Sequence, residues 1–347
     1  MAAHRRHPAT PSWVLILLLG ITSVAAACGG NDASPTATTP PPTSGSTATP
    51  TSDTLSRSEA EELFHYNRQR PLAITRQALT TRLSANELRG VTVHSITYAS
   101  PKGGEIPALL VVPKGRGPFP GVIVQHGLPS TKEDFLPVGL DLARTGAVAI
   151  LIDAPFNRPQ QGTVRGDISG TPKDRDEQIQ LIVDLRRAVD LLIARPDVNK
   201  AQLAYVGISY GAAMGGLLAG VEDRITAYVL AVGDGGLVSH FTGPNDPQPP
   251  QSMSAEDWQR WLAAMRPIEP INFIGRAAPA ALLFQAGTKD ELVPPEDARR
   301  YQQAASQPKE IRWYEAGHEL NCTARKDMMA WLARHIRIDP TRYRCRP

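Results

Sequence analysis

Short, unbroken apolar runs recur along the second two-thirds of the chain, near residues 121 to 125, 148 to 152, 203 to 208, 227 to 232, 280 to 285 and 311 to 314. Runs of that length without polar alternation predict strands buried on both faces, as in a parallel sheet. The longer stretches between them carry helical spacing, most clearly Asp176 to Ala194. Ahead of this alternation, Val91 to Tyr98 and Ala108 to Val112 are separated by Pro101 and Gly103-Gly104. That layout predicts an antiparallel hairpin. Residues 58 to 89 carry helical signals, with Glu59, Glu61 and Glu62 early in a first segment and Pro71 opening a second. The pattern predicts an α/β class: a mostly parallel, twisted sheet with an N-terminal antiparallel hairpin and helices on both faces.

Two long connections interrupt the alternation. One runs from Asp153 to Arg175 and contains Phe156, Asn157 and Arg158; the other runs from Gly233 to Arg276, residues 233–276, and is rich in proline. Loops after the carboxyl ends of parallel strands surround the crevice where ligands bind, so both are expected to shape a site, the second as a small lid insertion. Ser254-Ala255-Glu256-Asp257 resembles a capping box, and Trp258, Trp261, Leu262 and Met265 follow at helical spacing. This stripe either packs the insertion onto the domain or forms a pocket wall. Phe156, Trp258 and Trp261 are the expected pocket residues.

The N-terminal part is of a different kind. Arg5 and Arg6 precede the apolar run Trp13 to Gly20, with small residues up to Ala27, a signal-peptide layout over residues 1–27. The run is shorter than the roughly 20 residues of a membrane span. Residues 33 to 54 are almost all Thr, Pro, Ser, Ala and Gly, so residues 28–54 are expected to be a disordered spacer beginning at Cys28. Residues 55–347 remain as one domain, long enough to bury a large core. The chain carries a formal charge of +3, and losing Arg5 and Arg6 with the leader leaves +1, a balance that points to no nucleic-acid partner. No HExxH and no cysteine–histidine cluster with zinc spacing occurs, so neither a metal nor another cofactor is expected.

Chemistry concentrates at Gly207-Ile208-Ser209-Tyr210-Gly211, which joins the apolar run Leu203 to Val206 to the small-residue helical stretch Ala212 to Gly220. A serine on such a strand-to-helix apex is held on a tight turn with its Oγ projecting, and the flanking glycines let strand and helix approach. With it go Gln125-His126-Gly127 after the strand Val122 to Val124, the run Ala280 to Gln285 leading to Asp290, and Ile311 to Tyr314 leading to His318. Over about residues 91 to 336 this set, in the order Ser209, Asp290, His318, resembles the α/β-hydrolase superfamily.

The resemblance implies an α/β-hydrolase fold and a Ser209–His318–Asp290 triad, with backbone N–H groups of Leu128 and Tyr210 as the oxyanion hole. Asp234, after the run Ala227 to Val232, is a second candidate acid. His335 shares an apolar helical face with Met328, Trp331 and Leu332 and reads as packed structure. The implied activity is serine hydrolysis of a small carboxylic acyl ester. Within the superfamily the chain is similar to the dienelactone-hydrolase and acetyl-esterase branches, with serine in place of the cysteine nucleophile of true dienelactone hydrolases. Prolyl-oligopeptidase-like peptidases are the alternative, although only a short stretch separates the spacer from the first strand where that family carries a propeller. A catalytically silent surface binding protein is the third reading, disfavoured by the complete Ser, Asp and His set.

Ala25-Ala26-Ala27-Cys28-Gly29-Gly30 resembles a bacterial lipoprotein processing site, apart from alanine at position 25 where leucine is usual. This implies lipidation of Cys28 and attachment to a lipid bilayer on the outer face of the cytoplasmic membrane; ordinary cleavage and secretion is the alternative. Cys322 and Cys345 are then an even pair in an oxidising compartment, able to form a disulfide. Oligomeric state is not legible.

Overall fold

A computed structural model of the chain describes residues 54–158, 166–242 and 253–345. The leader, the spacer and Cys28 lie outside the described residues. Nine strands form one sheet: β1 (Thr75–Gln77), β2 (Val91–Ala99), β3 (Glu105–Pro113), β4 (Phe119–Gln125), β5 (Val148–Ile152), β6 (Val198–Ile208), β7 (Ala227–Ala231), β8 (Ala281–Gly287) and β9 (Lys309–Tyr314). Their order across the sheet is β1-β2-β3-β5-β4-β6-β7-β8-β9. The first three strands and the β3–β5 pair are antiparallel, and every pair from β5 to β9 is parallel. All residues of β5, β7 and β8 are buried, as unbroken apolar runs require when helices cover both faces.

The helices are α1 (Arg57–Leu63), α2 (Leu136–Arg144), α3 (Lys173–Ala194), α4 (Tyr210–Ala219), α5 (Val238–Thr242), α6 (Ala255–Met265), α7 (Ile271–Ile274), α8 (Pro295–Ala304) and α9 (Cys322–Ile336). Apolar side chains of α2 and α9 meet one face of the sheet, while α3, α4, α6 and α7 pack on the other. This is the α/β-hydrolase fold, with the antiparallel hairpin at the N-terminal edge.

One expectation fails. The second helical segment at Pro71 is absent: Leu72 accepts a backbone hydrogen bond from Ala99, and Thr75–Gln77 pair with β2 instead. The exposed edge of β2 offers ladder groups that a short polar segment satisfies, and this outweighs weak local helix propensity. In the insertion, the Ser254 side chain caps α6 by accepting from the Asp257 N–H at 3.1 Å. Residues 243–252 of the same insertion and 159–165 of the earlier one lie outside the described residues.

Candidate active site

Ser209 stands between β6 and α4 with φ 55° and ψ −121°, the left-handed φ that an L-residue adopts only under constraint. Several contacts impose it. The Ser209 N–H donates to the Ala231 carbonyl at 2.9 Å, and the Ser209 carbonyl accepts from Ala212 and Ala213 at 2.8 and 3.1 Å. Tyr205 Oη donates to the Gly211 carbonyl at 2.6 Å, tying the first turn of α4 back to the strand. At Gly211 a Cβ would collide with the Gln125 carbonyl, so the elbow and the end of β4 can touch only through glycine.

That contact brings the His126-Gly127 turn against the serine. A Cβ on Gly127 would lie 3.0 Å from Ser209 Cβ. Ser130 N–H closes the turn on the Gly127 carbonyl at 3.1 Å. Neither the Leu128 N–H nor the Tyr210 N–H donates to an acceptor among the described residues. Tyr210 is the first helical residue, where an N–H has no intrahelical partner. Two unspent donors therefore flank the serine.

The acid and base loops are stitched together. Lys289 N–H donates to the Ala316 carbonyl at 3.0 Å, and Thr288 N–H to Tyr314 at 2.8 Å. Asp290 is buried, and its Oδ1 accepts the N–H groups of Leu292 and Val293 at 3.0 and 2.9 Å. His318 Nδ1 lies 3.0 and 2.9 Å from the two carboxylate oxygens. An Nδ1–H donated to Asp290 leaves Nε2 with a free lone pair. Ser209 and His318 line the same cavity, of about 450 Å³. They are not hydrogen-bonded to each other here; such bonds commonly tighten only when substrate binds.

Asp234 is occupied elsewhere. Its carboxylate meets His240 Nδ1 at 2.9 Å and accepts from the Gly236 N–H at 3.2 Å, and it makes no hydrogen bond to His318. Burial lowers the His240 pKa, but the Asp234 hydrogen bond and charge outweigh it, so the net shift is upward. Near this pair, Glu269 accepts N–H groups of Leu237, Val238 and Ser239. Burial nevertheless pushes its pKa up to about 7.

The expected pocket residues are a correction. Phe156, Trp258 and Trp261 are 1%, 3% and 2% exposed, members of the core, and none lines the cavity that holds Ser209. Phe156 meets the Tyr210 ring edge-on at 5.6 Å, Trp258 stacks on Trp261 at 5.1 Å, and Trp261 Nε1 donates to Asp174 at 2.9 Å. An amphipathic face buries itself against the largest apolar surface available, which here is the core. The cavity lies instead at the carboxyl ends of β4, β6, β7 and β8, walled by Leu128, Phe135 and Val138, by Met328 and Met329 of α9, and by Tyr343.

Two features escaped sequence reasoning. His126 is buried and donates from Nδ1 to the Gly127 carbonyl at 2.8 Å, while its Nε2 accepts from Ala154 N–H at 3.2 Å. Burial lowers its pKa, so it stays neutral and fixes the turn that carries Leu128. Val232 (φ 47°) and Leu320 (φ 48°) line the cavity in left-handed conformations, as Ser209 does. Backbone strain of this kind gathers at functional sites, and no sequence signal announces it in a valine or leucine. Cys322 and Cys345, the pair expected from the sequence, form a disulfide with Cα atoms 5.9 Å apart. Asp339 N–H also donates to the Thr145 carbonyl at 2.7 Å, so residues 339 to 345 run as a strap from the end of α2 to the start of α9. Tyr343 on this strap closes one side of the cavity.

No curated protein matches the chain. Among solved structures, an acetyl xylan esterase from a Paenibacillus strain aligns at 22% identity over 80% of this chain and 93% of its own, with a TM-score of 0.61. A Thermoanaerobacterium acetyl xylan esterase aligns at 16% identity over 79% and 92%, also at 0.61. A putative dienelactone hydrolase from Klebsiella pneumoniae aligns at 21% identity over 70% and 98%, at 0.50. At these identities the likeness is one of fold. The dienelactone hydrolase family model matches residues 106–335, from the hairpin to the end of α9. The chain therefore belongs to the dienelactone hydrolase family, hydrolases of carboxylic esters on the α/β-hydrolase fold.

Proposed function

We propose that this protein cleaves small acyl esters through an acyl-enzyme on Ser209, with His318 as base and Asp290 as its orienting acid. The observation that carries the reading is the buried Asp290 carboxylate holding His318 Nδ1 at 2.9 Å, beside a cavity that also contains a serine at φ 55°. As Ser209 Oγ attacks the acyl carbon, His318 Nε2 takes its proton, and Asp290 stabilises the imidazolium without itself being protonated. The negative oxygen of the tetrahedral intermediate falls to the unspent N–H groups of Leu128 and Tyr210. One such donor contributes about 3 to 4 kcal/mol where it has been removed by mutation. His318 then protonates the departing alcohol, and water activated by the same ring releases the acid.

The cavity volume of about 450 Å³ lies in the range of small-molecule sites. Phe135, Val138, Met328 and Met329 give an acyl chain an apolar flank, while Asp134, Asp141, Glu319 and Arg325 also line the cavity. The test is a panel of acyl esters beside aminoacyl anilides. Turnover of esters alone fits the reading; turnover of anilides alone moves the protein to peptidases; turnover of neither leaves a binding role. We further propose that the domain is tethered to a lipid bilayer through diacylated Cys28. The Arg5–Arg6, apolar-run and Ala-Ala-Cys layout supports it.

A further inference from the structure

A second surface pocket, of about 220 Å³, is lined by Asn86, Arg89, Asp141, Arg144, Arg342 and Arg344. Three separate stretches of chain deliver these residues: the turn before β2, the C-terminal half of α2, and the strap. Guanidiniums gathered this way repel one another, so convergence requires other contacts to hold them. Arg144 is fixed by Asp141 at 2.9 Å and by the Glu87 carbonyl at 2.7 Å. Arg342 Nε pairs with Asp339 at 3.0 Å. Arg344 donates to the Tyr343 carbonyl at 3.0 Å, and the Cys322–Cys345 bridge anchors the strap just beyond it.

Asp141 offsets Arg144 and Asp339 offsets Arg342. Arg89 and Arg344 have no carboxylate partner among the described residues. The pocket is therefore left about two positive charges in excess, with four planar forks whose geometry matches phosphate oxygens. We propose that this pocket binds a phosphate group. Arg89 and Arg344 supply the uncompensated charge, and Arg144 and Arg342 supply donors already held in place. The same chemistry is presented by a free phosphate or phosphomonoester and by the headgroup of an anionic phospholipid. Tyr343, which closes one side of the Ser209 cavity, sits between Arg342 and Arg344. A phosphate bound here ties the strap to α2 next to the substrate.

The test titrates inorganic phosphate into the full-length protein by calorimetry at low ionic strength. In parallel it sediments the protein with phosphatidylglycerol and with phosphatidylcholine vesicles. Each arm compares wild type with Arg89→Ala/Arg344→Ala, so any contribution of the leader cancels. The proposal expects saturable binding of at least one probe, weakened tenfold or more in the double variant, while ester turnover persists. Phosphate binding with no variant-sensitive vesicle binding identifies a soluble phosphate ligand; variant-sensitive sedimentation with phosphatidylglycerol alone identifies a headgroup. Arg89→Ala by itself, at an exposed position outside every ion pair described, is expected to weaken the same binding. Equal affinity in wild type and both variants, or no binding of either probe, overturns the proposal.

Discussion

Cutting the strap at Cys345→Ser is expected to loosen both the fold and the substrate cavity, and the magnitude follows from the loop it closes. The bridge joins residues separated by 23 positions. Chain-entropy reasoning for a loop of that length gives about 3.4 kcal/mol at 25 °C. With an unfolding entropy of roughly 2.1 cal/mol/K per residue over about 290 residues, the loss corresponds to a fall of about 6 °C in Tm. Differential scanning calorimetry of oxidised wild type and the variant measures it. The variant should also show an altered KM for bulky acyl esters, because Tyr343 loses its anchor, while fluorophosphonate still labels Ser209. An unchanged Tm, or wild-type protein with both thiols free by mass spectrometry, refutes the reasoning.

Asp290→Asn should lower kcat on the order of 10⁴-fold by disfavouring the tautomer of His318 that the mechanism needs, whereas Asp234→Asn stays near wild type; the reverse ranking in ester assays would move the acid to Asp234. Glu269, raised from 4.5 to about 7 by burial, favours the folded state most below pH 4.5, and that stabilisation is lost as pH rises through about 7. Glu269→Gln should therefore remove a decline on the order of 3 kcal/mol between those limits in denaturant titrations, and identical pH profiles would contradict it. Cys28→Ser should shift the protein from the detergent phase to the aqueous phase, and equal partitioning of both forms would remove the lipid anchor.

Much of the frame is legible in the sequence because burial on both faces leaves an unmistakable run, as in Val148–Ile152 of β5. The elbow is legible for a similar reason, since close approach admits only glycine at position 211. β1 was not legible: all three of its residues are exposed, and it exists because β2 presents an open edge. The period of Trp258 and Trp261 shows that their face is buried but not against what. Phe135, Met328 and Tyr343 form the cavity wall only because the fold and a disulfide bring distant segments together. Likewise Arg342 and Arg344 come beside Arg89 and Arg144 only because the fold and the bridge to Cys322 bring these segments together.

The central claim, that one serine acts with one histidine, is tested most directly by ester turnover in Ser209→Ala, His318→Ala and the double variant, with fold checked by circular dichroism. Members of one catalytic unit lose activity together, so each single variant should fall to the residual rate and the double variant should be little worse than either. Folded single variants that keep substantial turnover, or losses that multiply in the double variant, would contradict the account.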